Sequence, residues 1–344
     1  MPEDRAGVLP LPTRRRVLGL GLRLGAGAFV AASLAGCGIR LEDDAPRVPG
    51  LPRRQPVPGE AFLLTLRQHS TDLAVQARAL GGSSKALPAR LAVLHTRQAA
   101  VLETELARLG VPRTVLDAPG ATATLQTGTA TTSTTTSATS GAPTGPSAPG
   151  ATTGPEALAA SEAADLGSTA IAALAEVGPQ TVSLAGALVA QRAAAATLLG
   201  EPVSWPEPTW SQPSLAASYL ESTRAAAYAF EVVAAQSPKG AQRTLALGTL
   251  ATLRARGSQQ ESLAGAAATP PALGYPLPFT VTTPTAARKL AVQVLTDLRA
   301  AVARDLGSTG GEVGPLGAVV HWLADTEVLA SRWGVALEPF PGLT

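Results

Sequence analysis

Apolar residues begin to recur at three- and four-residue intervals near Glu60, and from there the chain reads as a series of helices. The spacing predicts helices over about 59–80, 87–109, 155–177, 179–200, 213–237, 239–266, 283–307 and 312–334. Glycine and proline punctuate them: "GGSS" at 81–84 with Pro88 behind it, Gly178-Pro179, "SPKG" at 237–240 and "GSTGG" at 307–311. "EPVSWPEPTW" at 201–210 carries three prolines, cannot continue a helix, and divides the pattern into two halves. In each half the order is helix, short turn, helix, long connection, helix, short turn, helix.

The long connections are 110–154 and 269–284. A short turn makes antiparallel neighbours, while a long connection lets the chain run back along a bundle before the next hairpin. At ~3.3 Å per residue, the second connection reaches about 53 Å, enough to span a 25-residue helix of roughly 37 Å. Two hairpins joined by one crossover is the ferritin-like arrangement. Within 118–154 the Thr/Ser/Gly/Pro composition offers almost nothing apolar to bury, which predicts a disordered insert. The expected organisation is therefore a leader over 1–36, a charged and Pro-rich tether over 37–58, a helical bundle over 59–200, a Pro-rich junction over 201–212 and a second bundle over 213–344.

Composition agrees with an all-α class. Of 344 residues, 45% are hydrophobic, mostly the helix formers Ala and Leu, and only 3% are aromatic. The formal net charge of +2 is carried by the leader, whose five basic and two acidic residues, once removed, leave 22 basic and 23 acidic. A chain so balanced lacks the basic footprint that phosphate neutralisation requires, so nucleic acid is excluded as a partner.

The leader itself, "TRRRVLGLGLRLGAGAFVAASLAGCG" at 13–38, sets basic residues before an apolar run and ends in small residues. Arg14 and Arg15 resemble the pair of a twin-arginine export signal, and "LAGC" at 34–37 resembles a bacterial lipobox. That resemblance implies cleavage before Cys37, a lipid on its thiol, and attachment to the cell membrane on its extracytoplasmic side. Cys37 is the chain's single cysteine and has no disulfide partner, which lipidation accounts for. The alternative is an uncleaved anchor, for which about 20 apolar residues suffice; Arg23 and the lipobox argue against it.

"YLESTRAAAYAFEVVAAQ", "YPLPFTVTTPTAARKLA" and the closing "WGVALEPFPGL" resemble the DUF4439 family, ferritin-like proteins of unknown function, over about 213–343. The resemblance implies a four-helix fold and brings no established activity. A glutamate and a tyrosine of the family fall on Glu221 and Tyr228, while its histidine position is Ser222 here.

A ferritin-like di-metal site needs one Glu from each of two helices and Glu-x-x-His from each of the others. The three histidines, His69, His95 and His321, are preceded three positions earlier by Leu66, Ala92 and Ala318, so no such motif exists. Glu221, Asp297 and Glu327 are the weak metal candidates of the second half, and Glu221 has a local partner in Arg224 at i+3. In the first half, His69 with Asp72 and His95 lie on adjacent helices, with Glu103, Glu105, Glu162 and Asp165 as further carboxylates. His321 with Asp325 reads as a helix-surface hydrogen bond. No phosphate loop or nucleophile elbow is present. The expectation is a lipid-anchored bundle without metal or cofactor, structural or partner-binding, with Tyr275–Phe279 as a possible protein contact; the alternative is a small molecule or metal held between helices.

Overall fold

A computed structural model describes residues 54–83, 86–118 and 154–343. Arg14, Arg15, Cys37 and nearly all of the tether and of the Thr/Ser/Pro-rich insert lie outside the described residues. Within them the chain is all-α: ten α-helices with no strand. The helices are α1 (Glu60–Ala79), α2 (Leu87–Arg108), the short α3 (Arg113–Leu116), α4 (Pro155–Ala163), α5 (Ser168–Ala175), α6 (Val182–Leu199), α7 (Pro213–Gln236), α8 (Ala241–Ala264), α9 (Pro284–Arg304) and α10 (Val313–Arg332).

Local chemistry explains most of the boundaries. Pro88, Pro155, Pro213 and Pro284 stand in first turns, where a missing N–H costs nothing. Thr283 caps α9 by accepting the Ala286 N–H at 3.2 Å, and Gly200 ends α6 in the left-handed region. One predicted helix is broken. The stretch expected to run from 155 to 177 divides into α4 and α5, because Ala164 turns extended and Asp165 adopts φ 58°.

α1 and α2 form one hairpin; α4 and α5 lead into α6, which packs on α4 and along α10. α7 and α8 form the tightest hairpin, α9 lies against α7, and α10 lies against α9. The segment between α8 and α9 starts beside Arg224, which donates to Thr269 O at 2.6 Å, and passes Tyr228, whose ring is 5.9 Å from that of Tyr275. It ends beside Gln242, which donates to Pro284 O at 3.0 Å. The crossover thus runs lengthwise, and α9 begins at the same end as α8.

Residues 54–344 cluster as one compact unit. The larger of two apolar clusters joins Leu63, Leu102 and Leu188 of the first half to Phe230, Leu295 and Leu323 of the second. α6 lies at its centre, buried nearly all round from Ala185 to Ala196. Among the described residues it is the one helix long and apolar enough to cross a membrane, at mean hydropathy 1.5, and its apolar surface is satisfied inside the fold, with 72% buried.

The Pro-rich stretch between α6 and α7 is strapped onto α10. Trp205 stacks on His321 with ring centres 5.3 Å apart, and Trp210 stacks on Trp322 at the same distance. Gly314 makes the approach possible, since a Cβ there would lie 2.2 Å from Thr209 O.

Candidate functional site

Two buried side chains in the middle of α6, Gln191 and Arg192, organise the polar interior of the first half. Arg192 reaches the C-terminal end of α4, where its Nη2 donates to the carbonyls of Ser161, Glu162 and Ala164 at 3.0–3.1 Å. Those carbonyls end a helix that has no glycine cap, so the guanidinium satisfies acceptors that would otherwise be orphaned. On its other side, Nη1 of Arg192 faces Nδ1 of His69 at 3.4 Å.

Deeper in, the His95 imidazole lies between Gln98 Oε1 at 2.8 Å and Glu162 Oε1 at 2.6 Å, and all three residues are fully buried. The protonation pattern follows from one fixed acceptor. Pro339 O takes a hydrogen bond from the Gln98 side chain at 2.7 Å, so that atom is Nε2 and Oε1 turns to His95. Nδ1 of His95 therefore carries a hydrogen. Nε2 and the Glu162 carboxylate, both with lone pairs, must share a further proton between them. Taken together the pair has no net charge, which is what burial demands. Gln98 Nε2 also donates to Gln191 Oε1 at 2.8 Å, tying α2, α4, α6 and the C-terminal tail into one network.

Beside this network is a cavity of about 270 Å3, floored by Phe62, Leu66, Leu166, Ala170 and Ala173 and bounded at its polar end by His69, Asp165 and Arg192. A neighbouring opening, also bounded by His69 and Asp165, adds Asp72, Gln76 and Ser161. Burial and the Arg192 charge both push the His69 imidazole down, against the opposing pull of Asp165 and Asp72, so it is neutral at pH 7.

The residues singled out in the sequence fall in separate places. Glu105 holds Arg108 at 2.6 and 2.7 Å and accepts from Thr181 at 2.8 Å, while Glu103 lies 3.7 Å from Arg67; neither joins the network. Glu221 is near the surface of α7, 3.8 Å from Arg224, and accepts from Thr269 and from the Tyr275 hydroxyl at 3.2–3.3 Å. Asp297 is exposed, on the rim of an open groove under Pro276–Pro278. Glu327 is fully buried, but its two oxygens are taken by Arg299 Nη1 and by the Glu338 N–H, both at 2.9 Å. The structure does not bring these three carboxylates together. His321 is 3.5 Å from Asp325 and is covered by Trp205. In the Tyr275–Phe279 loop the prolines are exposed, and Phe279 lies 5.0 Å below the Lys289 ammonium.

Among the described residues, no group of three or more His, Cys, Asp or Glu is placed to hold a metal ion. The donor set does not fit a di-metal centre: Glu327 faces a guanidinium, Glu162 shares its proton with a histidine, and a second buried guanidinium, Arg256, is hydrogen-bonded to Thr326 at 2.7 Å. His95 and Glu162 were visible in the sequence as candidates. Gln98, Gln191 and Arg192 were not, although a Gln-Arg pair inside an otherwise apolar helix is a signal that could have found them.

A family model described as a domain of unknown function, DUF4439, matches residues 216–344, the part that holds α7 to α10 and the tail. No curated protein and no solved structure matches the chain.

Proposed function

We propose that this is a lipid-anchored protein of the extracytoplasmic face of the cell membrane, whose helical body is a binding module holding a small molecule between helices. The cavity beside Arg192 carries the reading: apolar walls, a few converging polar groups and a buried, positioned guanidinium are how small-ligand sites are built. The leader's Arg14 and Arg15 and the lipobox at Cys37 support the address. The lengthwise crossover between α8 and α9 supports a ferritin-like bundle, and its interior arginines supply from the protein the positive charge that metals would bring.

Two measurements test this. Cys37→Ser should abolish lipid labelling and release the protein from the membrane fraction; continued labelling would defeat the anchor. Intact mass of the natively purified protein, before and after denaturation, should show an adduct of small-molecule size beyond the lipid. Stoichiometric iron or manganese would replace this reading with a metal-binding one.

A further inference from the structure

Charge that balances over the whole chain is uneven along it. From Leu73 to Leu102 the sequence holds Arg78, Lys85, Arg90 and Arg97 and neither Asp nor Glu. Folded, that stretch makes the closed end of the α1–α2 hairpin. The carboxylates on either side of it are engaged elsewhere: Asp72 accepts from Gln68 at 2.9 Å, and Glu103 lies 3.7 Å from Arg67.

Arg90, Val93 and Arg97 stand at i, i+3 and i+7, a single exposed stripe of α2. Arg78, exposed at the end of α1, reaches across to donate to Thr96 Oγ1 at 3.2 Å. Two open troughs share Ala89 and Val93. The larger is flanked by Arg78 and Arg97 over a floor of alanines, and the other passes Arg90 on its way to Leu337 of the tail. Neither is lined by an acidic side chain. Among the described residues none of the three arginines has a carboxylate partner, whereas the exposed Arg108 and Arg254 each hold a glutamate. At the centre Val93 is 70% exposed.

Unpaired guanidiniums around an exposed apolar side chain complement a surface that is anionic at its headgroups and apolar just beneath them. The lipid-anchored reading above, on which this step rests, puts such a surface within reach. Seventeen residues separate Cys37 from Arg54 and span at most about 56 Å, against roughly 33 Å for the length of α2. We infer that the outer face of the α1–α2 hairpin is a membrane-contact surface. It lies on anionic phospholipid, with Arg78, Arg90 and Arg97 at the phosphates and Val93 between them.

Cosedimentation with vesicles tests this, using residues 38–344, the mature chain without its lipid. The protein should bind vesicles of phosphatidylcholine mixed equally with phosphatidylglycerol, ignore pure phosphatidylcholine, and be released by salt. Each cation at an anionic surface strengthens binding about fivefold, so the triple variant Arg78→Gln, Arg90→Gln and Arg97→Gln should bind about a hundredfold more weakly. Arg113→Gln, Arg254→Gln and Arg304→Gln together remove the same charge from exposed positions on α3, α8 and α9 and should leave binding within a few-fold of the parent. Indifference to phosphatidylglycerol overturns the inference, as do equal losses in the two variants. Self-association in sedimentation that only the first variant abolishes also overturns it, and makes the face a contact between copies. Because the assay uses unlipidated protein, it can fail while Cys37 still takes a lipid label, so its failure and that of the anchor are told apart.

Discussion

Burial and the neighbouring Arg192 guanidinium push the His69 imidazole below its ordinary 6.5, with Asp165 and Asp72 opposing them. Burial does the same to His321, with Arg256 also lowering it and Asp325 raising it. For a base with a depressed folded value, the unfolded chain binds more protons once the pH drops below 6.5. The stability these residues contribute is therefore complete above that value and is lost as the pH falls. Glu105 acts in a lower window: its hydrogen bond from Arg108 depresses the carboxyl below 4.5, so its contribution is lost only in more acid solution. We expect the urea midpoint to drop between about pH 7.5 and about pH 5.5, and His69→Gln to flatten that drop. An unchanged slope in the variant would mean that the ring takes up its proton in the fold as readily as in the unfolded chain. At this scale the sequence identified the titrating residues but not their environment. His95 and Glu162 are 67 positions apart and meet at 2.6 Å only because α4 ends where α2 passes.

Helix spacing was the most legible level, since α1, α2 and α7 to α10 all fall where three- and four-residue periodicity puts them. The break between α4 and α5 was not legible, because "EAADLGST" scans as helix and its stop depends on Arg192, from a distant helix, donating to the last carbonyls. The closing "EPFPGL" has a similar explanation. Glu338 receives Arg299 Nη2 and the Gly342 N–H, Pro339 O receives Gln98, and Leu337 enters a small core with Leu73, Leu91 and Leu158. The tail is thus a latch between the last two helices and α2. Gly342 is required for it: φ is 74°, and a Cβ would lie 2.6 Å from Arg299 O. Gly342→Ala should cost on the order of 1–3 kcal/mol in urea unfolding. It should also speed exchange of the Glu338 and Gly342 amides, which the clamp now protects. Full protection in the variant would show the latch to be dispensable.

α6 gives the molecule its cooperativity. It belongs by sequence to the first half, yet it packs along α10 of the second, and α10 is buried on nearly every residue from Pro315 to Ala330. The prolines at 201–212 mark a change of chain direction, whereas nothing in the Ala-rich α6 or in the Val-, Leu- and Ala-bearing α10 announces that the two will face each other, since complementary apolar surfaces leave no charge pattern to read. Take α6 away and the part of α10 packed on it has no cover, which at ~25 cal/mol per Å2 of apolar surface exceeds what a small bundle has to spare. Residues 201–344 expressed alone should therefore be strongly destabilised or associate through that face, although they include the whole family-matched segment. The complete body should unfold in one transition, followed by circular dichroism and tryptophan fluorescence together. If the isolated segment instead gives a monomeric, cooperative melt in sedimentation and denaturation experiments, the α6–α10 contact is a docking between two self-sufficient bundles, and the strap over α10 becomes a hinge.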